Sequence, residues 1–435
     1  MFRQLATPDD VVLAGGCHPA SVIISGAVKG STLSPESGPF MPIVVFVLAV
    51  AVFAQGTSEF MVSGLLAPIA SDLGVSLGAA GLLTSLFAAG MVVGAPVVAI
   101  AAGRLPVRYS VAVFLLLFCA AHVVGAVATE FVLLLVTRVI AAVANAGFLA
   151  IALAALPRMV GPAAVGRATS VVVSGVTVAC IAGVPAGTLL GQVWGWRSAF
   201  WAVAVVGAAV LVPVWVLLGR DAHGAERHDG QVPSMRREGA ALRQWPILIA
   251  VVAGVLVNAA TFAGFTYLGT IMASVSGSDR TVPLALALFG IGSFAGVTLT
   301  GRYSDRYRRR ILTVGTVVLT GIWLLAATAA HTTIGVLIMS ALTGAAAFGV
   351  GSTLIATIVQ TAAPTAPRLA GAAATTAFNL GAVLGPVTAG LSVDHTTQPD
   401  TAWWCAAAFT AVATLVVLLG TRRRTAAEPE HAPAH

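Results

Sequence analysis

Twelve apolar runs, each about 20 residues long, limit what this chain of 435 residues can fold into. A run of that length forms a helix that crosses the hydrocarbon core of a bilayer. No run has the period-two alternation of a membrane β-barrel strand. Only 9% of the residues are charged, which excludes an ordinary soluble protein of this size. The sequence therefore predicts an all-α membrane protein with twelve transmembrane helices, near 42–64, 79–101, 107–128, 131–156, 168–191, 198–218, 246–272, 282–301, 311–330, 334–360, 369–392 and 401–420.

The runs fall into two sets of six that repeat each other weakly. A polar insert at 219–244 divides them and is expected to be a cytoplasmic linker between an N-terminal bundle (41–218) and a C-terminal bundle (245–421). Similar Gly- and Arg-rich segments, expected to be short loops, follow the second and eighth runs at 103–108 and 301–310. A parallel repeat of six helices, with a site at the midplane between the halves, is a recurring plan of transporters. We therefore expect two pseudo-symmetric six-helix bundles.

The two ends of the chain differ from the apolar runs. Residues 1–40 mix charged residues with Gly, Ser and Pro and hold no run long enough to span a membrane. Because Met41 opens directly onto the first run, we interpret 1–40 as a translation-start overcall. A disordered leader is the alternative, and neither interpretation gives these residues a packed role. Residues 422–435 are expected to form a cytoplasmic tail.

The basic residues are distributed as topology signals. Eighteen of the 23 Lys and Arg residues, such as Arg158 and Arg308, fall on the side of the chain termini if twelve helices span the membrane. This positive-inside pattern predicts that both termini lie in the cytoplasm and that the protein resides in the inner (cytoplasmic) membrane. The formal net charge of +7 is explained in this way, so no nucleic-acid partner is expected.

Glu59 and Arg138 are charged residues that lie well inside the apolar runs. A charge near the bilayer centre costs roughly 2.5–3.5 kcal/mol on insertion scales, so its presence indicates a function. Both residues lie about two turns from the same membrane face, where they could meet. Desolvation favours the protonated carboxyl and a nearby cation favours the carboxylate, so a pair that breaks and re-forms could couple protons to transport. A static structural ion pair is the alternative.

Polar and aromatic residues within the runs are candidates for a substrate cavity. Gln55 shares a helix face with Glu59, and Asn145 shares one with Arg138. A mostly apolar cavity with few polar groups suits a lipophilic, weakly polar ligand, although packing alone could explain each residue. His122, in the third run, is interpreted as a structural histidine. The predicted substrate-binding set is Gln55, Glu59, Asn145, Phe148, Asn258, Phe262, Phe378 and Asn379.

Glycine, proline and arginine mark places where the conformation could change. Pro185 removes a backbone hydrogen bond and is predicted to bend the fifth helix, while glycines four residues apart favour close packing of helices. Asp305 among arginines indicates a charge relay at a helix joint, with a simple topology signal as the alternative. The predicted gating set is Gly103, Arg104, Arg108, Gly183, Pro185, Gly187, Gly191, Gly301, Asp305, Arg306 and Arg309.

Several classes of function lack their sequence motifs. Lys29 is the only lysine, so a Walker A motif is impossible and ATP is not the expected energy source. The chain has no HExxH motif and no pair of intramembrane Asp residues, which argues against a membrane enzyme, and no filter loop of a channel. Its four cysteines are scattered without metal-binding spacing. No cofactor and no metal are expected.

Taken together, these motifs resemble the major facilitator superfamily and, within it, the twelve-helix drug:proton antiporter group. The resemblance covers the chain from Met41 to about Arg424. The arginine-rich segments match the loop motif of the superfamily, imperfectly in the first half, and Arg138 matches the arginine of its fourth-helix motif. The glycine series at 183–191 is similar to the antiporter motif of the fifth helix, although Val184 departs from the usual adjacent Gly-Pro.

Three stretches, 53–61, 145–150 and 195–201, look like those of bacterial chloramphenicol exporters, and also like those of sugar and nucleoside exporters. The resemblance implies a monomeric, proton-coupled efflux transporter that exports chloramphenicol or a related small lipophilic drug by alternating access and confers antibiotic resistance. Its partners would be the drug, protons and the lipid bilayer. Glu59 would carry the coupling proton, with Arg138 beside it. A sugar or nucleoside exporter, or a non-coupled facilitator or channel, is the alternative.

Overall fold

The computed structural model describes residues 41–101, 106–160, 164–218, 235–367 and 369–427. Within these ranges the chain forms helices joined by short loops, and twelve helical spans are long and apolar enough to cross a membrane. The prediction of an all-α protein with twelve spans is confirmed. In chain order the helices are α1 (Ile43–Phe60), α2 (Val62–Leu73), α3 (Leu77–Ala101), α4 (Val107–Ala126), α5 (Phe131–Val160), α6 (Val165–Val178), α7 (Val184–Trp194), α8 (Arg197–Leu217), α9 (Met235–Ala241), α10 (Trp245–Thr266), α11 (Leu268–Ser276), α12 (Val282–Ala329), α13 (Thr333–Ala362), α14 (Ala370–Thr396) and α15 (Thr401–Ala427).

The helices form two bundles of six spans each. The N-terminal bundle holds α1 to α8 and the C-terminal bundle holds α10 to α15, with the short helix α9 in the segment between them. The leader at 1–40, most of the predicted linker (219–234) and the last residues (428–435) lie outside the described ranges. Because the number of spans is even, Met41 and Ala427 lie at the same end of the molecule. We call this the proximal end and the opposite one the distal end.

The first and seventh spans are interrupted at matching places. Met61 separates α1 from α2, and Tyr267, with non-helical backbone angles, separates α10 from α11. Just beyond each interruption the two bundles touch, since a Cβ placed on Gly269 would collide with the carbonyl oxygen of Ser63. Glycine at this position therefore allows two backbones to meet between the bundles.

The fifth span contains a π-helical turn at Ala179–Gly183, which ends two residues before Pro185. A proline has no backbone N–H, so it cannot donate to the carbonyl four residues earlier and it disturbs a regular helix. A π turn is one way for a helix to absorb such a disturbance. The bend expected at Pro185 stays a prediction.

The segment 301–310 is helical, so the prediction that it forms a loop is wrong. It belongs to α12, in which the helices of the eighth and ninth spans are joined across a kink. The one interruption is at Tyr307, whose φ of −120° and ψ of 20° mark a bend. Between Arg302 and Arg310 the chain has no Gly or Pro, which are the residues that most often end a helix. The two helices therefore meet at this kink without a loop between them.

Hydrogen bonds join the two bundles at the distal end. Asp394, near the end of α14, accepts from Ser76 Oγ (2.6 Å) and from the backbone N–H of Gly78 (2.9 Å) at the start of α3. Gln192 Nε2 donates to the backbone carbonyl of Asp279 at 2.6 Å. A carboxylate at a helix N-terminus satisfies free backbone N–H groups and complements the helix dipole. These contacts hold this conformation closed at the distal end.

Candidate functional site

A cavity of about 270 Å³ lies between the two bundles. The N-terminal bundle contributes Glu59 and Phe60 from α1, and the C-terminal bundle contributes the rest of the lining. The walls are mostly apolar, with one carboxylate, two amides and two hydroxyls. A space of this composition suits a small ligand with few polar groups. The lining residues are Glu59, Phe60, Asn258, Thr261, Phe262, Val297, Ala347, Phe348, Gly351, Ser352, Ile355, Phe378, Asn379 and Ala382.

Five of the eight residues predicted to bind substrate line this cavity: Glu59, Asn258, Phe262, Phe378 and Asn379. They come from α1, α10 and α14, three helices that are distant in sequence. The sequence pattern had placed each of them only within its own span, and the fold brings them together. Their role in binding stays a prediction.

The other three predicted binding residues lie elsewhere. Phe148 is fully buried in the core of the N-terminal bundle, and Asn145 is also buried on α5. Gln55 is 1% exposed, and both of its amide atoms lack a hydrogen-bond partner among the described residues. A buried amide without a hydrogen-bond partner costs free energy. Gln55 is therefore a candidate for hydrogen bonds to a ligand, or to other residues in another conformation.

Two amides give the cavity its polar character. Asn258 Nδ2 donates to the carbonyl of Phe378 at 2.5 Å, and Asn379 Nδ2 donates to the carbonyl of Thr375 at 3.0 Å. An amide has two N–H donors and a carbonyl acceptor, so each side chain keeps one donor and its acceptor for a ligand. The backbone contacts also fix the direction in which both amides point.

A series of neighbouring aromatic rings lies along the cavity and in the adjacent part of the C-terminal bundle. The Phe60 ring lies 5.9 Å from both Phe262 and Phe265, and Phe265 lies 4.7 Å from Phe289. The Phe289 ring in turn lies 6.0 Å from Phe348, which lines the cavity. Such tilted and edge-on pairs add stability beyond their buried area. They also present ring faces on which an aryl ligand could stack.

Four polar or aromatic side chains of the cavity that could contact a ligand lie outside the predicted binding set. They are Phe60, Thr261, Phe348 and Ser352. Thr261 and Ser352 are hydroxyls within apolar helices, where they commonly bond to their own backbone; Thr261 donates to Val257 in this way. Phe348 is a lone aromatic residue in a segment of Gly and Ala, which was a usable signal.

Arg138 is held by a buried network that centres on Ser58. Its Nη2 donates to the Ser58 carbonyl and its Nη1 donates to the Ser58 hydroxyl, both at 2.9 Å. Its Nε reaches the carbonyl of Leu83 at 3.5 Å, and its guanidinium stacks 4.3 Å from the centre of the Phe87 ring. A buried charge is tolerated when its donors are satisfied in this way.

The network continues from Ser58 to His122. The Nδ1 of His122 lies 2.7 Å from the carbonyl of Phe118, and its Nε2 lies 2.6 Å from the Ser58 hydroxyl. A carbonyl only accepts, so Nδ1 carries the proton, and in the neutral ring Nε2 is the acceptor. The Ser58 hydroxyl therefore accepts from Arg138 and donates to His122. The histidine completes the network, as expected of a structural residue.

No salt bridge joins Glu59 to Arg138 in the described structure, so the direct contact considered from the sequence is not formed here. Neighbouring residues on a helix point about 100° apart. Ser58 faces Arg138 inside the N-terminal bundle, whereas Glu59 faces the cavity between the bundles. Arg138 and Glu59 therefore lie beside the same turn of α1, but Arg138 is bonded inside the N-terminal bundle and Glu59 lines the cavity.

The glycines of the fifth span pack against the first span at regular intervals. A Cβ on Gly183 would collide with the Thr57 hydroxyl, and one on Gly191 would collide with the Leu65 side chain. Between them, a Cβ on Gly187 would lie 3.6 Å from the Cβ of Met61. The contacts on α1 and α2 recur every four residues, as helix geometry requires. Close packing is thus present, and a gating role stays a prediction.

The arginine-rich segments are described only in part. Gly103 and Arg104 lie outside the described residues, and so does the Asp305 side chain. Arg108 stacks 3.9 Å from the Trp215 ring centre, and the backbone carbonyl of Arg309 accepts from Thr313. The predicted charge relay around Asp305 therefore stays untested. The remaining residues of that set have open surroundings: a Cβ on Gly301 would meet nothing within 4 Å, and Arg306 is exposed.

Comparisons with a family model and with known proteins all indicate the same family. The chain matches the model described as Major Facilitator Superfamily over residues 48–377 and 269–434. It is 48% identical over 380 residues to the chloramphenicol resistance protein of Streptomyces lividans, covering 86% of this chain and 95% of that protein. It is also 32% identical over 259 residues to the purine ribonucleoside efflux pump NepI of Salmonella paratyphi A, covering 59% of this chain and 63% of the pump.

Solved structures show the same fold at low sequence identity. A bacterial homologue of the human lysosomal transporter Spinster, in an inward-facing and unoccupied conformation, matches with a TM-score of 0.72 at 16% identity. The match covers 91% of this chain and 100% of that chain. The predicted pair of six-helix bundles and the predicted family are both confirmed. The chain therefore belongs to the major facilitator superfamily, whose members are membrane transporters and not enzymes.

Proposed function

We propose that this protein is a proton-coupled exporter of chloramphenicol or a related phenicol. The observation that carries the proposal is the position of Glu59: it is the one carboxylate in the lining of the cavity between the two bundles. A transporter that works by alternating access exposes such a cavity to each side of the membrane in turn. Glu59 can then exchange a proton with one side in one conformation and with the other side in the next.

The surroundings of Glu59 support a proton-carrying role. Ionisation of a carboxyl is strongly disfavoured by a dry, apolar cavity and favoured by water or a nearby cation. Movement of the two bundles relative to each other would change the solvation of Glu59, because all other lining residues except Phe60 belong to the other bundle. Arg138 is bonded to Ser58, so its positive charge lies beside this turn of α1 in this conformation.

The substrate proposal rests on the cavity and on sequence similarity. The cavity combines aromatic rings with two amides that are held in place, which fits an aryl ligand with hydroxyl and amide groups. The nitroaryl ring of a phenicol would stack on Phe262, and its polar groups would bond to Asn258 and Asn379. The similarity to a chloramphenicol resistance protein over most of both chains supports the same substrate class.

The test is phenicol accumulation in a sensitive bacterium that lacks its own exporters and expresses this protein. We expect low accumulation that rises when a protonophore removes the proton gradient. Glu59→Gln should abolish proton-driven export while purified protein still binds the drug. Glu130→Gln is the matched control, since Glu130 is an exposed carboxylate in a distal loop and should leave export unchanged.

Two results would count against the proposal. Unchanged export in Glu59→Gln would remove this residue from the coupling mechanism. Accumulation equal to that in cells without the protein, with the protein shown to be in the membrane, would exclude phenicols as substrates.

Export of a nucleoside is the second candidate. The cavity amides could pair with the hydrogen-bonding edge of a base, and the similarity to a purine ribonucleoside efflux pump supports this class. Efflux of a labelled purine nucleoside, measured in the same cells, distinguishes the two. A facilitator or channel would instead show transport that a protonophore leaves unchanged.

We also propose that the proximal end faces the cytoplasm and that the protein acts as a monomer in the inner membrane, with bundles at 41–218 and 245–421. Support comes from arginines at the proximal end, such as Arg158, Arg302 and Arg310, which follow the positive-inside pattern. Labelling of single cysteines introduced at Ser71 and Gln398 by a membrane-impermeant thiol reagent in intact cells tests the orientation. Both distal sites should react.

A further inference from the structure

A second large groove lies on the outer surface of the C-terminal bundle, away from the central cavity. It has a volume of about 550 Å³ and is formed by the two arms of α12 and by α13. The bend of α12 at Tyr307 separates the two arms there. Small residues, including Gly315, Ala345 and Ala346, leave room between the helices. Neither the proposed transport site nor its coupling residues touch this groove.

The two ends of the groove differ in chemistry. At its proximal end stand Tyr303, Tyr307 and Arg310, all exposed. From Arg310 the lining continues along α12 to Val314 and Val318 and is apolar. With a rise of 1.5 Å per residue, the eight residues from Arg310 to Val318 span about 12 Å, close to the depth of one leaflet of a bilayer.

The apolar part of the groove opens towards the membrane. Val314 is 59% exposed and Val318 is 49% exposed, and both belong to the membrane span Arg306–Ala329. Exposed apolar residues inside a span contact lipid chains and not water. The occupant of this groove therefore reaches it sideways from the bilayer.

The mouth of the groove carries a high positive charge. Segment 302–310 holds five arginines and one acid, Asp305. Arg302, Arg306 and Arg309 are exposed like Arg310. Basic clusters at the end of membrane helices attract anionic lipid headgroups, and aromatic residues settle at the same depth of the interface.

We propose that an anionic phospholipid occupies this groove, with its phosphate on Arg310 and the two tyrosines and one acyl chain along Val314 and Val318. Arg310 lies where the polar mouth meets the apolar wall, so its guanidinium donates to phosphate oxygens while the chain stays in contact with apolar residues. The tyrosine hydroxyls add donors to the same headgroup. A zwitterionic lipid offers the same chain but no net charge for the arginine cluster, so the site selects anionic lipids.

The site is tested by native mass spectrometry of the protein purified in neutral detergent. Phosphatidylglycerol and phosphatidylcholine with identical acyl chains are added in equal amounts. We expect one molecule of phosphatidylglycerol to be retained in preference to phosphatidylcholine. Arg310→Gln should weaken retention of phosphatidylglycerol about fivefold, which corresponds to about 1 kcal/mol for one basic residue near a headgroup.

A second variant tests the wall of the groove without changing charge. Val314→Trp should fill the groove from its open side and reduce retention of phosphatidylglycerol. Val317→Trp is the matched control, since Val317 is 51% exposed on the same helix and does not line the groove. Arg302→Gln is the matched control for charge, since it also removes one exposed arginine outside the lining.

Three outcomes would overturn the proposal. Equal retention of the two lipids would show that the groove does not select charge. An equal loss in Arg302→Gln and Arg310→Gln would show that the arginines act as a diffuse field and not as a site. Unchanged retention in Val314→Trp would place the lipid elsewhere. All four substituted side chains are exposed, so the variants are expected to unfold at the same temperature as the parent protein.

Discussion

At the scale of single residues, Ser58 links two buried polar side chains of the N-terminal bundle. Its hydroxyl connects Arg138 to His122, and its carbonyl holds a second guanidinium nitrogen. It also precedes Glu59, so the same turn of α1 anchors the buried cation and presents the cavity carboxylate. A small polar residue thereby separates the two charged groups that the sequence suggested as a pair.

Replacing Ser58 should destabilise the protein. Ser58→Ala leaves Arg138 Nη1 and His122 Nε2 without a partner in a buried site, and each unsatisfied group costs about 1–3 kcal/mol. The unfolding midpoint in detergent should fall clearly. Ser63→Ala is the matched control, because Ser63 is also buried but its hydroxyl has no hydrogen-bond partner among the described residues. A Ser58→Ala midpoint equal to that of Ser63→Ala would contradict the network.

At the scale of helices, the first and fifth spans depend on glycine. A Cβ on Gly175 would collide with the backbone carbonyl of Ala49 and approach the Phe53 nitrogen at 2.9 Å. Backbone atoms cannot move aside as a side chain can, so Gly175→Ala should cost about 1–3 kcal/mol. Gly166, on the same helix α6, has nothing within 4 Å of such a Cβ. Gly166→Ala should therefore keep or slightly raise the unfolding midpoint, and equal effects of the two changes would refute this account.

An ion pair joins α2 to α8 at the distal end and should make stability depend on acidity. Hydrogen bonds from Arg197 (2.6 Å) and Trp196 (3.1 Å) hold the pKa of Asp72 below its ordinary value. A lowered pKa contributes stability above the ordinary value, near 3.9, and that contribution is lost as the pH falls through the lowered one. The effect is small, because both side chains are more than a third exposed.

The measurement is the unfolding midpoint in detergent between pH 7 and pH 3. The parent protein should lose stability below about pH 4, and Asp72→Asn should lose less over the same window. Asp279→Asn is the control, since only the backbone carbonyl of Asp279 accepts the bond from Gln192. Identical pH profiles for Asp72→Asn and the parent protein would exclude this contribution.

At the scale of the whole molecule, the distal contacts join the two bundles in this conformation. Asp394 ties α14 to the start of α3 across the two bundles, and Gly290 lets α12 pack on the π turn, where a Cβ would lie 2.5 Å from the Cys180 carbonyl oxygen. These contacts exist only while the distal end is closed. Weakening them should raise the population of conformations open at that end.

Asp394→Ala should therefore open the distal end more often. A loss of about 1.4 kcal/mol shifts the ratio of closed to open molecules tenfold. Spin labels at Ser71 and Gln398, both exposed at the distal end, report the distance between the bundles in a background without native cysteines. The long-distance fraction should grow. Asp400→Ala, which changes a nearby carboxylate outside this contact, is the control, and an equal distribution in both variants would show that Asp394 does not hold the end closed.

Some residues of the candidate site were predictable from the sequence, but the contacts between them were not. Glu59, Asn258, Phe262 and Asn379 stand out in the sequence as polar or aromatic residues in apolar helices, and all four line the cavity. Phe148 stands out equally but lies in the core of one bundle. One sequence cannot distinguish these cases, because the side of a helix that faces a cavity depends on which helices surround it.

The number of spans, their division into two bundles and the position of Glu59 and Arg138 within apolar runs can all be read from the sequence alone. These properties follow from the length of apolar runs and the cost of burying charge, which act on each segment separately. The bond from Arg138 to Ser58, the position of Glu59 opposite the other bundle and the kink between two helices within 301–310 are visible only in the tertiary structure. Those outcomes depend on contacts between helices that are distant in sequence, and hydropathy carries no record of such contacts.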